Sequence, residues 1–268
     1  MTIGEASTDD VMSGFRLDGR VALVTGAGQN IGRALARGLA QAGADVLLND
    51  INGELAKRTA QELAAATGRR VVPVQGDVSA QSDVDRIASV AGQEFDRFDI
   101  LVNNAYTTGY APPRRTYPAD PLKTTDEHWT VAFEVNMLGP YRMIRAFGDR
   151  LREHGVGSVI NILSGSGFQP NPGMMPYGAT KSGLWLMTRY LSKECPDIRF
   201  NALVPGVVRD NTVDVAARAQ TEANVVPLIP MGRVGDPREL AGACVYLASD
   251  AASYTTGALL FCNGGRPW

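Results

Sequence analysis

Short, uninterrupted apolar runs alternate along the chain with longer segments in which apolar residues recur every three or four positions. The runs are typical of buried strands, and the recurring positions are typical of amphipathic helices. The predicted strands are 21–25, 45–50, 71–75, 99–103, 158–163, 198–204 and 258–262. The predicted helices are 31–42, 53–67, 82–95, 127–152, 177–193 and 239–248. This alternation predicts a single α/β domain, with a doubly wound, parallel, seven-stranded, Rossmann-like sheet and helices on both faces.

Two segments fall outside this pattern. Residues 1–16 are polar and acidic and are predicted to form a mobile tail, so that the domain spans 17–268. Residues 107–125 are rich in proline, threonine and arginine and are predicted to form a long loop.

Composition and charge narrow the classes of function. The chain has 268 residues and a net charge of −2, so no basic surface and no nucleic-acid partner are expected. Three cysteines and two histidines without metal-ligand spacing predict neither a disulfide framework nor a metal site. No apolar run reaches the roughly 20 residues of a membrane span, and the N-terminus lacks a signal pattern. We therefore expect a cytoplasmic protein without a membrane segment.

A glycine-rich turn follows the first strand, from Thr25 to Gly32. Glycines let the backbone turn sharply, and the free N–H groups at the start of the next helix favour a pyrophosphate. Because Ile31 occupies the third glycine position of GxGxxG, the spacing is instead TGxxxGxG, with Asn30 in place of the middle glycine. Asparagine tolerates a left-handed backbone better than most residues. The turn predicts a dinucleotide site, and a turn without a ligand is the alternative.

Asp50 ends the second strand. An acidic residue there accepts hydrogen bonds from the adenosine ribose and repels a 2′-phosphate, which predicts NAD rather than NADP as the cofactor. No arginine follows it directly. A solvated aspartate at a strand end is the alternative.

Tyr177 and Lys181 are four positions apart on a predicted helix, a spacing that places two side chains on one face. A tyrosine is a poor base at neutral pH because its pKa is about 10, and a nearby ammonium lowers that pKa. Such a phenol can exchange a proton with a substrate hydroxyl while a hydride moves to or from a nicotinamide. Ser164, at the end of the fifth strand, is predicted to hydrogen-bond the substrate oxygen, with Ser166 as a competitor. A surface helix face and a plain loop serine are the alternatives.

Asn136 lies in the long predicted helix, four positions before Pro140. Proline has no N–H, so the carbonyl of Asn136 loses its usual helical donor and the helix is predicted to kink. We expect this carbonyl to hold a water that connects Lys181 to solvent in a proton relay. A packing kink is the alternative.

Taken in order, these residues resemble the short-chain dehydrogenase/reductase family over roughly residues 17–266. The matching features are Thr25-Gly26, Gly32, Asp50, Asp77-Val78, Asn103-Asn104-Ala105, Asn136, Ser164, Tyr177-x-x-x-Lys181, Pro205-Gly206 and Gly264-Gly265. The resemblance implies hydride transfer between NAD and a secondary alcohol or ketone, with Tyr177 as general acid–base. The catalytic residues that it implies are Asn136, Ser164, Tyr177 and Lys181. It also implies a homotetramer or a homodimer.

The same resemblance implies a set of cofactor-binding residues. They are Gly26, Gln29, Asn30, Ile31, Gly32, Asp50, Asp77, Val78, Asn104, Ala105, Tyr177, Lys181 and Val208. Four positions depart from the family pattern: Asn30 and Tyr106 replace glycines, Asp210 replaces a threonine, and Asn263 replaces an aspartate. The extra carboxylate at Asp210 disfavours an additional phosphate on the cofactor.

The substrate site is expected at the mouth formed after strands four to six, with a substrate loop at about 207–230. The residues predicted to contact the substrate are Ser164, Tyr106, Phe168 and Met174. Their aromatic and thioether groups indicate a partly apolar small molecule, whereas Arg209 and Arg218 favour an anion; packing within the protein is the alternative. A non-enzymatic dinucleotide sensor or scaffold on the same fold is the second function considered. A hydrolase that uses Ser164 lacks a suitably placed histidine.

Overall fold

The computed structural model describes residues 10–108, 120–210, 212 and 214–267 of the chain. Its strands are β1 (Val21–Val24), β2 (Asp45–Asp50), β3 (Val71–Gln75), β4 (Ile100–Asn103), β5 (Ser158–Ile162), β6 (Arg199–Pro205) and β7 (Leu259–Cys262). They form one sheet in the order β3-β2-β1-β4-β5-β6-β7, and all neighbours are parallel. The chain reverses its direction of progress beside β1, which is the switch point of a doubly wound sheet. The predicted fold class is confirmed.

Helices cover both faces of this sheet. The helices are α1 (Asn30–Gln41), α2 (Gly53–Thr67), α3 (Gln81–Glu94), α4 (Asp126–Phe133), α5 (Gly139–Glu153), α6 (Met175–Glu194), α7 (Val215–Val225) and α8 (Ala241–Ala248). A π-helix at Glu134–Leu138 joins α4 to α5. Short 3-10 helices lie at Val11–Phe15, Pro121–Lys123, Gly165–Gly167, Val226–Leu228, Pro237–Leu240 and Asp250–Ala252.

Alternate residues of β1 pack into two separate apolar layers. Ala22 and Val24 pack on the side of Leu35 from α1, whereas Leu23 packs on the side of Phe147 from α5. Burial of a valine, leucine or phenylalanine side chain contributes about 1.5–3 kcal/mol. Because both faces of every central strand are buried, the strands appear in the sequence as continuous apolar runs rather than as alternating patterns.

Local signals fix the ends of α2. The Asn52 side chain accepts a hydrogen bond from the Leu55 N–H at 3.0 Å, which satisfies a donor of the first turn. Gly68 follows the last turn with a φ of +68°, a left-handed conformation that glycine adopts without a steric penalty. The helix predicted at 53–67 therefore has the bounds that the sequence indicates.

The predicted helix at 127–152 is divided into three parts. The Gly139 N–H donates to the Glu134 carbonyl, a five-residue step that defines the π-helix between α4 and α5. Pro140 follows at once and has no N–H to donate. The irregularity predicted near Asn136 is present, and it takes the form of a π-bulge.

Two further segments differ from their predictions. Val11–Phe15, inside the predicted tail, form a 3-10 helix capped by Asp10, and the Phe15 ring lies 6.3 Å from that of Tyr246. The tail prediction is therefore wrong for these residues, because Phe15 supplies an apolar anchor; residues 1–9 lie outside the described residues. Helix α7 lies in the predicted substrate loop, and its weak amphipathic pattern gave no helical signal. Residues 109–119 of the predicted loop at 107–125 lie outside the described residues.

Candidate active site

The phosphate turn connects β1 to α1 at the carboxyl edge of the sheet. Gly26 has a φ of +60° and Asn30 a φ of +46°, so Asn30 is the single non-glycine residue with a positive φ among the described residues. A Cβ atom at Gly32 would lie 2.2 Å from the Gly26 carbonyl oxygen and 2.5 Å from Asn104 Nδ2. The start of α1 is thus packed so closely on the turn that no side chain fits there. The left-handed backbone predicted for Asn30 is present.

Asp50 holds this turn from the end of β2. Its Oδ2 atom accepts from the Gly28 N–H at 2.8 Å, and its Oδ1 atom accepts from the Asn52 N–H at 3.0 Å. The residue is buried, so it is not the solvated aspartate that the sequence left open. Two carboxylate oxygens provide about four lone-pair sites, so the group keeps capacity for a ligand.

Asn104 fastens the end of β4 to the same turn. Its Nδ2 atom donates to the Thr25 carbonyl at 2.9 Å and to the Gly26 carbonyl at 3.0 Å. The Thr25 hydroxyl accepts from the Asn104 N–H at 3.0 Å and from the Ala105 N–H at 3.1 Å. The sequence marks Thr25 only as the start of the turn, whereas the structure shows that its hydroxyl joins the ends of β1 and β4. Its signal is a hydroxyl residue at the end of an otherwise apolar strand.

A cleft of about 500 Å³ lies along this edge. Eleven of the residues predicted to bind the cofactor line it: Gly26, Gln29, Asn30, Ile31, Gly32, Asp50, Asp77, Val78, Asn104, Ala105 and Val208. A nicotinamide dinucleotide fits this lining. The glycines leave backbone N–H groups accessible at the start of a helix, where a pyrophosphate is favoured. The Asp50 carboxylate can accept hydrogen bonds from a ribose, and apolar side chains such as Val78 can pack against an adenine.

Tyr177 and Lys181 meet on one face of α6, as their spacing predicts. Lys181 Nζ lies 5.7 Å from the centroid of the Tyr177 ring and donates to the Ile162 carbonyl of β5 at 2.7 Å. Both side chains are buried. Burial lowers the pKa of the Lys181 ammonium from 10.5 to about 7, because a charged group loses its hydration there. The pair therefore lies in a dry environment at the end of β5.

Ser164 follows β5 and begins the 3-10 turn Gly165–Gly167. Its Oγ accepts from the Ser166 N–H at 3.2 Å, so the hydroxyl hydrogen is not used in that bond. The Ser166 hydroxyl is likewise an acceptor, since its Oγ accepts from Asn171 Nδ2 at 2.8 Å. These two bonds use neither hydroxyl hydrogen, so what favours Ser164 as a donor to a ligand is its place directly after β5, at the carboxyl edge of the sheet.

Asn136 lies in the π-helix and is completely buried. Its Oδ1 accepts from the Thr107 N–H at 2.9 Å, and its Nδ2 donates to the Thr107 carbonyl at 2.8 Å and to the Thr180 hydroxyl at 3.1 Å. The Thr180 hydroxyl in turn donates to the Tyr177 carbonyl at 2.8 Å. The side chain therefore ties the segment after β4 to the helix that carries Tyr177. Thr180 was not predicted, although its position inside the Tyr-x-x-x-Lys segment was a signal.

The predicted substrate residues are not all placed together. The Tyr106 ring is 55% exposed, lines the cleft and lies 6.0 Å from the Tyr177 ring. Phe168 instead packs edge-to-face with Phe261 of β7, 5.7 Å away, and is not among the residues that line the cleft. Met174 is half-buried at the residue before α6, where its carbonyl accepts from the Gly178 N–H.

Two further properties bear on the predicted absences. Within the described residues, no group of three or more His, Cys, Asp or Glu side chains could hold a metal ion. No described helix has the length and hydropathy required to cross a bilayer.

Tyr177 and Lys181 are not among the residues that line the cleft, but the Tyr177 ring lies 6.0 Å from that of Tyr106, which does line it. Together, the fold and the site define a class: a Rossmann-like protein with a dinucleotide-type cleft and a nearby Tyr–Lys pair. A family model described as enoyl-(acyl carrier protein) reductase matches residues 26–266. The galactitol 2-dehydrogenase (L-tagatose-forming) of Cereibacter sphaeroides is 37% identical over 261 residues, which cover 96% of this chain and 98% of that protein.

Solved structures of known proteins also resemble this chain. A short-chain type dehydrogenase/reductase from Mycobacterium marinum has a TM-score of 0.86 at 30% identity and covers 96% of this chain and 99% of its own. A gluconate 5-dehydrogenase from Burkholderia cenocepacia, in complex with NADP and tartrate, has a TM-score of 0.84 at 32% identity. The match covers 96% of this chain and 98% of that structure's chain. The chain belongs to the short-chain dehydrogenase/reductase family. It is an oxidoreductase of the kind that acts on alcohols or ketones.

Proposed function

We propose that the protein is an NAD-dependent dehydrogenase or ketone reductase in which Tyr177 is the general acid–base. The observation that carries the proposal is the buried Tyr177–Lys181 pair at the end of β5, next to a cleft lined by the predicted cofactor residues. When bound, NAD supplies the acceptor for the hydride. The residues of the chain supply orientation and the proton.

The proposed proton transfer takes place at the Tyr177 hydroxyl. This oxygen takes a proton from a substrate alcohol or returns it to a substrate ketone, while the Ser164 hydroxyl donates to the same substrate oxygen. Burial disfavours the isolated Lys181 ammonium, whereas a phenolate beside it supplies the missing counter-charge. The two side chains therefore stabilise each other in the charged state. Asn136 acts on this pair through Thr180, and the water at its carbonyl stays a prediction.

Substitution of Tyr177 tests the acid–base role. Tyr177→Phe removes the hydroxyl and keeps the ring, so turnover is expected to fall by about 10²-fold or more while NADH binding is kept. Tyr190→Phe is the matched control, since Tyr190 lies on the same helix and is 58% exposed. Turnover in Tyr177→Phe at the rate of the control would exclude the assignment.

The preference for NAD over NADP is proposed from Asp50. Its carboxylate faces the cleft at the end of β2, and Ile51 and Asn52, which follow, carry no positive charge. A 2′-phosphate placed there would be repelled. The gluconate 5-dehydrogenase was solved with NADP and a similar 7α-hydroxysteroid dehydrogenase with NADH, so the family accommodates both cofactors.

Fluorescence titration with NADH and NADPH measures that preference. Asp50→Asn removes the charge at nearly constant size and is expected to change the ratio of the two affinities by about tenfold in favour of NADPH, or about 1.4 kcal/mol. Asp45→Asn is the control, because Asp45 lies at the opposite end of the same strand, away from the cleft. An unchanged ratio would assign the discrimination to another residue.

The substrate class proposed is a polyhydroxylated alcohol or the corresponding ketone. The names of two relatives support it, a galactitol 2-dehydrogenase and a gluconate 5-dehydrogenase that was solved with tartrate. A screen over sugar alcohols, sugar acids, steroids and 3-oxoacyl thioesters tests the class. Substantial activity on the thioesters alone would contradict it.

Two properties outside the site stay proposals. A homotetramer or homodimer follows from the family resemblance, and light scattering on the purified protein gives its mass in solution. A cytoplasmic location is also proposed, and cell fractionation tests it. The sensor or scaffold alternative would hold if NADH bound tightly and no alcohol or ketone were turned over.

A further inference from the structure

Two of the departures from the family pattern contact each other. Asn30 is the first residue of α1 in the phosphate turn, and Asp210 lies beyond β6, 180 positions later in the chain. Asn30 Nδ2 donates to Asp210 Oδ1 at 2.8 Å. Both residues line the cleft proposed to hold the cofactor. This hydrogen bond, called the Asn30–Asp210 bridge below, therefore joins two walls of that cleft.

Asp210 is presented by an anchored segment. The Arg209 N–H donates to the Gly235 carbonyl at 2.8 Å, and the Gly235 N–H donates to the Val207 carbonyl at 2.9 Å, which fixes the backbone just before it. Asp210 Oδ1 also accepts from the Thr212 N–H at 2.9 Å and from the Thr212 hydroxyl at 2.6 Å. The carboxylate is consequently oriented by its own segment before it reaches the phosphate turn.

Asn30 provides both the backbone conformation that the turn needs and the amide donor that Asp210 accepts from. Its φ of +46° is one that glycine adopts at lower cost, but a glycine has no side chain to reach Asp210. The two departures thus supply one donor and one acceptor, and neither makes the bond without the other.

We propose that the Asn30–Asp210 bridge slows nucleotide exchange by tying the segment after β6 to the phosphate turn. Asn30 and Asp210 are then positioning residues for the cofactor, not catalytic residues. The inference rests on the proposed binding of NAD in this cleft. A nucleotide held against the phosphate turn leaves faster when the opposite wall is no longer tied to that turn.

Stopped-flow measurement of NADH release tests the bridge. Asn30→Gly suits the left-handed backbone and removes the donor, and Asp210→Ala removes the acceptor. Each is expected to release NADH about tenfold faster, which corresponds to about 1.4 kcal/mol at 25 °C. The double variant is expected to be no faster than either single variant, because all three lack the same bond. Asp210→Asn keeps an acceptor oxygen without the charge and is expected to release NADH at close to the wild-type rate.

Hydrogen exchange on the protein without nucleotide gives an independent readout. The amides of Val207–Asp210 are expected to exchange faster in Asn30→Gly and Asp210→Ala, and at the wild-type rate in Asp210→Asn. If the wild type bound neither NADH nor NADPH, the proposed function would fail while this exchange still reported on the bridge. The inference is overturned by unchanged release or unchanged exchange in both single variants. It is also overturned if Asp210→Asn behaves like Asp210→Ala, because the charge and not the bond would then be responsible.

Discussion

Replacement of Lys181 by methionine should stabilise the protein near neutral pH and destabilise it in alkali. The ammonium is buried and donates a hydrogen bond to the Ile162 carbonyl at 2.7 Å. Burial lowers its pKa from 10.5 to about 7. Methionine has a similar length and no charge, so the variant removes the cost of burying the ammonium and leaves the carbonyl without that donor.

The magnitude follows from the two pKa values. Below pH 7 both the folded and the unfolded chain hold the proton, and the folded protein carries the full penalty, about 5 kcal/mol at about 1.36 kcal/mol per pKa unit. Between pH 7 and 10.5 the unfolded chain holds a proton that the folded chain has lost, so the free energy of unfolding rises with pH. Loss of the bond to Ile162 costs about 1–3 kcal/mol at any pH. Lys181→Met should therefore be about 2–4 kcal/mol more stable than the wild type at about pH 6.5, and about 1–2 kcal/mol less stable at about pH 10.

Urea unfolding followed by tryptophan fluorescence, at several pH values and protein concentrations, measures this difference. Lys193→Met is the matched control, since Lys193 lies on the same helix and is exposed. Its stability difference from the wild type should not change with pH. If Lys181→Met gave the same pH-independent difference as the control, burial would not be holding the pKa of the ammonium below its ordinary value.

Three other substitutions test separate parts of the site and core. Gly32→Ala places a methyl carbon 2.2 Å from the Gly26 carbonyl oxygen, so NADH titration should show binding weakened by about tenfold or more; wild-type affinity would contradict the close packing. Thr188→Val removes the acceptor of the buried Asn161 amide at 2.9 Å, and urea unfolding should show a loss of about 1–3 kcal/mol, whereas an unchanged midpoint would contradict this. Tyr106→Gly removes the exposed ring from the cleft, so KM should fall for bulky alcohols relative to small ones, and an unaltered order of KM values would remove Tyr106 from the substrate site.

The parts of the molecule that the sequence predicts well share a local cause. The strands are predictable because a parallel sheet covered on both faces needs apolar residues at every position. Tyr177 and Lys181 are predictable because one helical turn brings them together whatever else the chain does. Asp50 and the glycines are predictable because the end of a strand and the start of a helix fix their place at the carboxyl edge.

The parts that the sequence does not predict depend on where a side chain points or on partners that are distant along the chain. Phe168 has an aromatic side chain that suits a substrate contact, but its ring packs against Phe261 of an edge strand. The side chain of Asn136 holds Thr107, 29 positions away, and no local pattern marks such a pair. The partnership of Asn30 with Asp210 is more distant still. Such contacts follow from how the strand ends converge, which is a property of the assembled sheet.

Side chains that tie one element of the site to the backbone of another decide which variants are informative. Asp50, Asn104, Asn136 and Lys181 each have a side chain bonded to backbone groups of another element, so each holds strand ends together in addition to any contact with a ligand. Removal of such a side chain leaves a buried backbone group unpaired, at about 1–3 kcal/mol, and loosens the site at the same time. An alanine variant therefore mixes loss of structure with loss of chemistry. Asp210→Asn separates the two, because the bonds from Asn30 and Thr212 go to one Asp210 oxygen, which the amide keeps. Asp50→Asn replaces one of two accepting oxygens and so also loosens the turn; there the ratio of the NADH and NADPH affinities isolates the effect of the charge.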